Sequence, residues 1–265
     1  MPPLLGLLAA GLLFLLLLMV AVWLLALLLR NFGIVDVAWS ASFLPVAAAY
    51  TWLADGWTPR DLLLVGMVGV WSLRLAWFLL VRVARDHPKE DSRYARLRRD
   101  WGASANVKML AFFEAQAVAA LLLTVPFAIS ALNPTAAVHP LEWLALGVWA
   151  VGVAGEATAD WQLARFRARP EAHGQVCQEG LWRYSRHPNY FFEWIVWCGF
   201  ALFTLGSPDG WMGLFVAPLM FYVMRYGTGV PHAEASSLAS RGDAYRAYQR
   251  TTNVFFPGPR RAPLA

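Results

Sequence analysis

Apolar residues run along this chain in long blocks, not in the stripes of a soluble domain. A helix needs roughly 20 apolar residues to cross a hydrocarbon core about 30 Å thick. Seven windows meet or approach that length, at about 4–29, 34–54, 61–81, 107–131, 141–161, 189–206 and 210–226. The first, LLGLLAAGLLFLLLLMVAVWLLALLL, is too long for the apolar region of a signal peptide, has no basic run before it, and ends in Arg30 without a cleavage-type motif. The pattern predicts an all-α integral membrane protein with seven transmembrane helices. No repeat, low-complexity tract or linker interrupts it, so residues 1–265 read as a single membrane domain.

Composition agrees. Hydrophobic residues make up 58% and charged residues only 15%, against about 25% charged in ordinary soluble domains. Disorder needs the opposite balance. Two cysteines (Cys177 and Cys198) make neither a disulfide framework nor a structural zinc site, and no metal centre is expected.

The placement of charge sets the orientation. With seven spans, one side of the membrane carries Arg30, the 82–108 loop, the 162–187 loop and the chain from 225, which together hold 20 of the 22 Lys and Arg. The other side carries Arg60, with short loops at 55–60, 132–140 and 207–209. Cytoplasmic loops are enriched in Lys and Arg, so the N-terminus is expected outside and the C-terminus in the cytoplasm. The net charge of +5 follows this sidedness and implies no nucleic-acid partner.

Ionisable residues at membrane depth are expensive and point to function. Here they are Asp36, Arg74, Glu114, Glu156, Asp160 and Glu193. The competing explanation is packing: ion pairs between helices, or side chains reaching for the interface. Glu156 and Asp160 stand four apart and share a helix face. Arg167 continues that face toward a basic patch of Arg165, Arg167 and Arg169, and Pro170 ends the helix. Carboxylates suit ribose or amide groups, and arginines suit phosphate. In GLWRYSRHPNYFFEWIVW (180–197), Pro188 opens a helix whose N-terminus is an anion site flanked by Arg183 and Arg186. Asn189 and Glu193 again share one face. An interfacial belt explains Trp182 and Arg183 but not Asn189 and Glu193 facing into a span. In YRAYQRTTNVFFPG (245–258), Tyr245, Arg246 and Tyr248 suit either a cover for a cofactor or an amphipathic interfacial helix.

RYSRHPNYFFE followed by Trp, with the upstream Glu156/Asp160/Gln162 stripe and with VDVAWS and WSLRL at 35–40 and 71–75, resembles the membrane steroid 5-alpha-reductase family, in its bacterial branch. The resemblance covers about residues 30–258. It implies seven helices, NADPH bound from the cytoplasm, and reduction of a carbon–carbon double bond conjugated to a 3-keto group of a steroid or similar lipid enone. It divides the chain into substrate-side helices (about 1–131) and NADPH-binding helices and loops (about 141–258). Asp160, Arg167, Tyr184, Asn189 and Glu193 match cofactor motif positions, and Glu156 stands where some members have Asn. Arg165, Arg186, His187, Arg225, Tyr245 and Tyr248 complete the cofactor set. The catalytic half matches less closely. Asp36 is the nearest acid to the family's Glu, and Trp71 falls where members have Tyr, if Arg74 matches their Arg. Glu114, Gln116 and Tyr50 are the other candidates to hold the ketone, with Trp39 beside them. Asp36 has two readings: a protonated donor in an apolar setting, or a structural partner of Arg74.

The resemblance implies a monomer in a bacterial inner membrane, with lipid substrate entering sideways from the bilayer. Two rivals stand. Isoprenylcysteine carboxyl methyltransferases carry a similar R-H-P-x-Y and bind S-adenosylmethionine. A lipid-binding or transport protein without catalysis is the other. The absence of G-x-G-x-x-G excludes a Rossmann domain of the usual kind.

Overall fold

Helix follows the apolar blocks closely. The computed structural model describes residues 2–54 and 58–262; positions 55–57 of the loop expected at 55–60 lie outside them. Its helices are α1 (Pro2–Leu29), α2 (Ile34–Leu53), α3 (Pro59–Asp86), α4 (Ser92–Trp101), α5 (Ala105–Ala131), α6 (Pro140–Arg167), α7 (Pro188–Thr204), α8 (Val216–Tyr226) and α9 (Val230–Thr251). Among the described residues there is no strand, only an isolated parallel bridge between Ser185 and Asn253. The chain divides into two compact units. One runs to His139 and takes in Thr204–Gly213; the other holds Pro140–Phe203 and the chain from Leu214.

Four helical stretches among the described residues are long and apolar enough to cross a membrane: Pro3–Leu29, Ile34–Leu53, Pro59–Asp86 and Ser92–Ala131. All belong to the first unit. α6 is long but carries Glu142, Glu156 and Asp160, and α7 has 17 residues. The window at 210–226 is a broken element, a 3-10 stretch at Gly210–Phe215 and then α8. At the start of the 3-10 stretch Thr204 Oγ1 donates to the Gly210 carbonyl at 2.7 Å.

In the first unit, α1 buries Leu7, Gly11, Leu15, Met19, Val22 and Ala26 at spacings of three and four, and exposes Leu13, Leu17, Leu24 and Leu28. Lipid is as apolar as leucine, so packing and hydrogen bonds, not burial alone, hold such helices together. Gly11 supplies the close approach: a Cβ there would lie 2.1 Å from the Tyr50 hydroxyl. That hydroxyl meets Thr124 Oγ1 at 3.1 Å. One end of the unit is fastened by Arg60, whose residue is 1% exposed. It donates to the Ser130 carbonyl at 2.7 Å and to Ser207 Oγ at 2.6 Å. The T-P-R-D sequence at 58–61 starts α3 with a complete capping box. At the other end, Glu90 accepts from the Phe32 backbone N–H at 2.8 Å and from Arg98 at 2.9 Å, clasping the α1–α2 turn.

In the second unit, α6 and α7 run antiparallel along a glycine seam. A Cβ at Gly152 would lie 2.6 Å from the Val196 backbone nitrogen, one at Gly155 2.2 Å from the Phe192 ring, and one at Gly199 2.6 Å from Trp149. The loop between them is folded. Phe166, Ala172, Cys177 and Trp182 form a small apolar core with Leu163. Gly180, at φ +54°, brings the Leu181 N–H to Gln162 Oε1 at 2.8 Å.

Candidate functional site

The glycine seam brings the two polar faces of the second unit together. α6 reaches Arg167 unbroken, so Glu156 and Asp160 share its buried side. α7 begins at Pro188, which pre-sets the first helical φ. Asn189 Nδ2 donates to Asp160 Oδ1 at 3.3 Å. Asn189 Oδ1 is buried and, among the described residues, has no hydrogen-bond partner. Glu193 is buried one turn along and accepts from Trp197 Nε1 at 2.9 Å. An acceptor left in protein without a donor is costly, which makes this amide the candidate binding group of the site.

The turn ahead of α7 is held by α9. Arg186 donates to Glu234 Oε1 at 2.6 Å, and to the Gln249 and Thr252 carbonyls at 3.1 and 2.6 Å. Gln249 Nε2 donates to the other Glu234 oxygen at 2.9 Å. His187 lies 3.4 Å from Glu234 and stacks on Tyr190 with ring centroids 5.5 Å apart. Burial alone would raise the Glu234 carboxyl, but the His187 and Arg186 hydrogen bonds and the Arg186 charge hold it at about 2. Burial pushes the His187 ring down from its ordinary value. Burial and the Glu234 charge push the Tyr245 phenol up to about 12. Tyr248 donates to the Trp182 carbonyl and to the Ser185 carbonyl, the latter at 3.1 Å.

These contacts correct part of the expected basic site. Arg186 was expected to meet an anion, yet its guanidinium is committed to Glu234 and two carbonyls, with the side chain 10% exposed. Arg169 is committed to Glu179 through two bonds of 2.6 and 2.8 Å. Arg225 lies 4.7 Å from the Tyr226 ring centroid. Arg165 lies over the Trp161 ring, and Arg183 and Tyr184 are exposed. Tyr245 and Tyr248 are buried under the turn.

The first unit corrects the reading of Asp36. Its partners are on α4 and α3: it accepts from Arg93 at 2.6 Å and from the Tyr94 hydroxyl at 2.6 Å, with Arg82 at 3.8 Å. Two oxygens so occupied are not free to donate to a ketone. Trp71 is fully buried and packs on Phe43 with centroids 5.2 Å apart, so its indole is core. Trp39 Nε1 donates to the Gln116 carbonyl at 3.2 Å. Both oxygens of Glu114 and Nε2 of Gln116 are buried without a hydrogen-bond partner among the described residues. Sequence reasoning missed Arg93, Tyr94, Glu234 and Gln249. The capping box at 58–61 was a readable signal for the start of α3. None marked Glu234, which lies 47 residues from its His187 partner.

The architecture and the amide–carboxylate pair define an all-helical membrane-type protein with a polar site between two helices of one unit. The model of a family described as protein of unknown function (DUF1295) matches residues 22–252, and the chain belongs to that family. It is also 34% identical over 64 residues to 3-oxo-5-alpha-steroid 4-dehydrogenase 1 of Mus musculus, a stretch covering 24% of this chain and 25% of the mouse protein. No solved structure matches.

Proposed function

We propose that this protein is a membrane oxidoreductase that uses NADPH to reduce the double bond of a 3-oxo-Δ4 steroid or similar lipid enone. We read it as crossing the membrane seven times, N-terminus outside, with the basic loops in the cytoplasm. The observation that carries the reading is the Asp160–Asn189 pair with its unpartnered amide oxygen. The residues fit a nucleotide. Asn189 Oδ1 accepts from an amide or hydroxyl, Asp160 and Glu193 accept from ribose or carboxamide groups, and the α7 N-terminus with Arg165, Arg167 and Arg183 meets phosphate. NADPH when bound supplies the hydride. Three basic side chains, with Arg169 and Arg186 committed elsewhere, are enough for a pyrophosphate and a 2′-phosphate. Glu114 is the carboxyl proposed to hold the proton at the ketone oxygen as charge develops there, with Gln116 or Tyr50 as the alternative.

The test is the thermal midpoint of the purified protein in nanodiscs with NADPH, NADH or S-adenosylmethionine, because a ligand stabilises the state that binds it. NADPH is expected to raise it most. Asp160→Ala and Asn189→Ala are expected to weaken NADPH binding by roughly 5- to 150-fold, the cost of one buried hydrogen bond. Glu114→Gln is expected to slow enone-dependent loss of NADPH absorbance while binding is kept. A midpoint raised by S-adenosylmethionine alone favours the methyltransferase reading, which shares R-H-P-x-Y.

A further inference from the structure

The chain does not stop at α9. Residues 252–261 run back across the turn that precedes α7. Asn253 O accepts from the Arg186 N–H at 2.8 Å, Phe255 O accepts from Ser185 Oγ at 2.8 Å, and the Gly258 N–H donates to Tyr184 O at 3.1 Å. Together with Tyr248, which donates to the carbonyls of Trp182 and Ser185, this gives every residue from Tyr184 to Arg186 a backbone or hydroxyl bond to α9 or the strap. Phe255 drives the strap home. Its residue is 1% exposed, with its ring centroid 6.0 Å from Phe191, 6.2 Å from Trp194 and 5.3 Å from Phe221. The far end is tied by Arg260 to Gln178 at 2.7 Å. The turn meets part of its own need, with the Tyr184 and Ser185 N–H groups on Leu181 O and the His187 N–H on Ser185 Oγ; the Tyr184 carbonyl and the Arg186 N–H take their partners from the strap.

We propose that residues 252–261 are a latch that positions the Tyr184–His187 turn, and through it the N-terminus of α7, for the nucleotide, with Phe255 as the positioning residue. The proposal rests on the nucleotide reading above only for the identity of the ligand. Hydrogen exchange of wild type, Phe255→Ala and a chain stopped after Phe256 tests the latch without any ligand, and NADPH titration of the same nanodisc samples tests its consequence. The expected result is faster exchange confined to about 182–192, an unchanged first unit, and about tenfold weaker NADPH binding in Phe255→Ala, with a smaller loss in the shortened chain, which lacks only the Gly258, Arg260 and Arg261 contacts. Wild-type exchange in the turn overturns the latch, and so does faster exchange with unchanged NADPH affinity. If wild type binds no NADPH, the nucleotide reading falls and the exchange arm alone decides the latch. If Phe255→Ala does not fold, the shortened chain decides it by the same two readings.

Discussion

Asp36 shows how a residue's role is set by neighbours far away in the chain. Its flanks, Ile34, Val35, Val37 and Trp39, are apolar, and that local setting suggested a neutral acid. Its partners are Arg93 and Tyr94, on α4, 57 and 58 residues on, and no local pattern announces such a contact. Asp36→Asn is therefore expected to lower the thermal midpoint and leave NADPH binding unchanged. A double-mutant cycle with Arg93→Gln is expected to give a coupling of about 1 kcal/mol, modest because Arg93 is half exposed. Zero coupling overturns the assignment. Glu234 carries a pH prediction. Its carboxyl is held at about 2, below its ordinary 4.5, so its stabilisation is complete above pH 4.5 and is lost as pH falls toward 2. His187, lowered by burial, works in the same direction: its contribution is lost as pH falls below the ordinary 6.5. The thermal midpoint of wild type should drop across the lower window, and that of Glu234→Gln should drop less, because Asp91 and Glu179, also held low, still titrate there.

At the scale of the element, the sequence was most readable where one rule acts alone. Pro188 opened α7, and the unbroken run from 156 carried α6 to Arg167, so the meeting of Asp160 and Asn189 was within reach of spacing arguments. The 3-10 stretch at 210–215 was not, because its start is fixed by Thr204 Oγ1 on the Gly210 carbonyl, a contact across the loop between two apolar windows that hydropathy does not mark. The glycines of α6 were also silent, since a glycine in an apolar helix reads the same whether or not a neighbour needs the room. Gly155→Ala puts a methyl 2.2 Å from the Phe192 ring. It is expected to cost about 1–3 kcal/mol by overpacking and to weaken NADPH binding by parting the Asp160–Asn189 pair. Gly147→Ala, at a site open to 4 Å, is the control and should be neutral in both assays.

For the whole molecule, charge asymmetry remains the strongest guide to orientation. It predicts that a membrane-impermeant maleimide, added to intact cells, labels Ala136→Cys and spares Arg99→Cys and Arg250→Cys, each built on Cys177→Ser and Cys198→Ser. All three positions are exposed. Labelling at both 136 and 250 from outside would remove the odd number of spans between them, and labelling at 250 but not 136 would invert the orientation. The seam between α6 and α7 has a consequence for how freely the chain can be cut. Because Gly152, Gly155 and Gly199 each meet one particular partner, the two helices find their own register, and the covalent connection between them is spared that task. Gly174 lies in this connection at φ +75°, with open space where a Cβ would stand. Fragments ending at 174 and starting at 175, made together in one cell, should reassemble by docking and bind NADPH as the unbroken chain does; recovery of only one fragment from the membrane would show that the linkage itself sets the register.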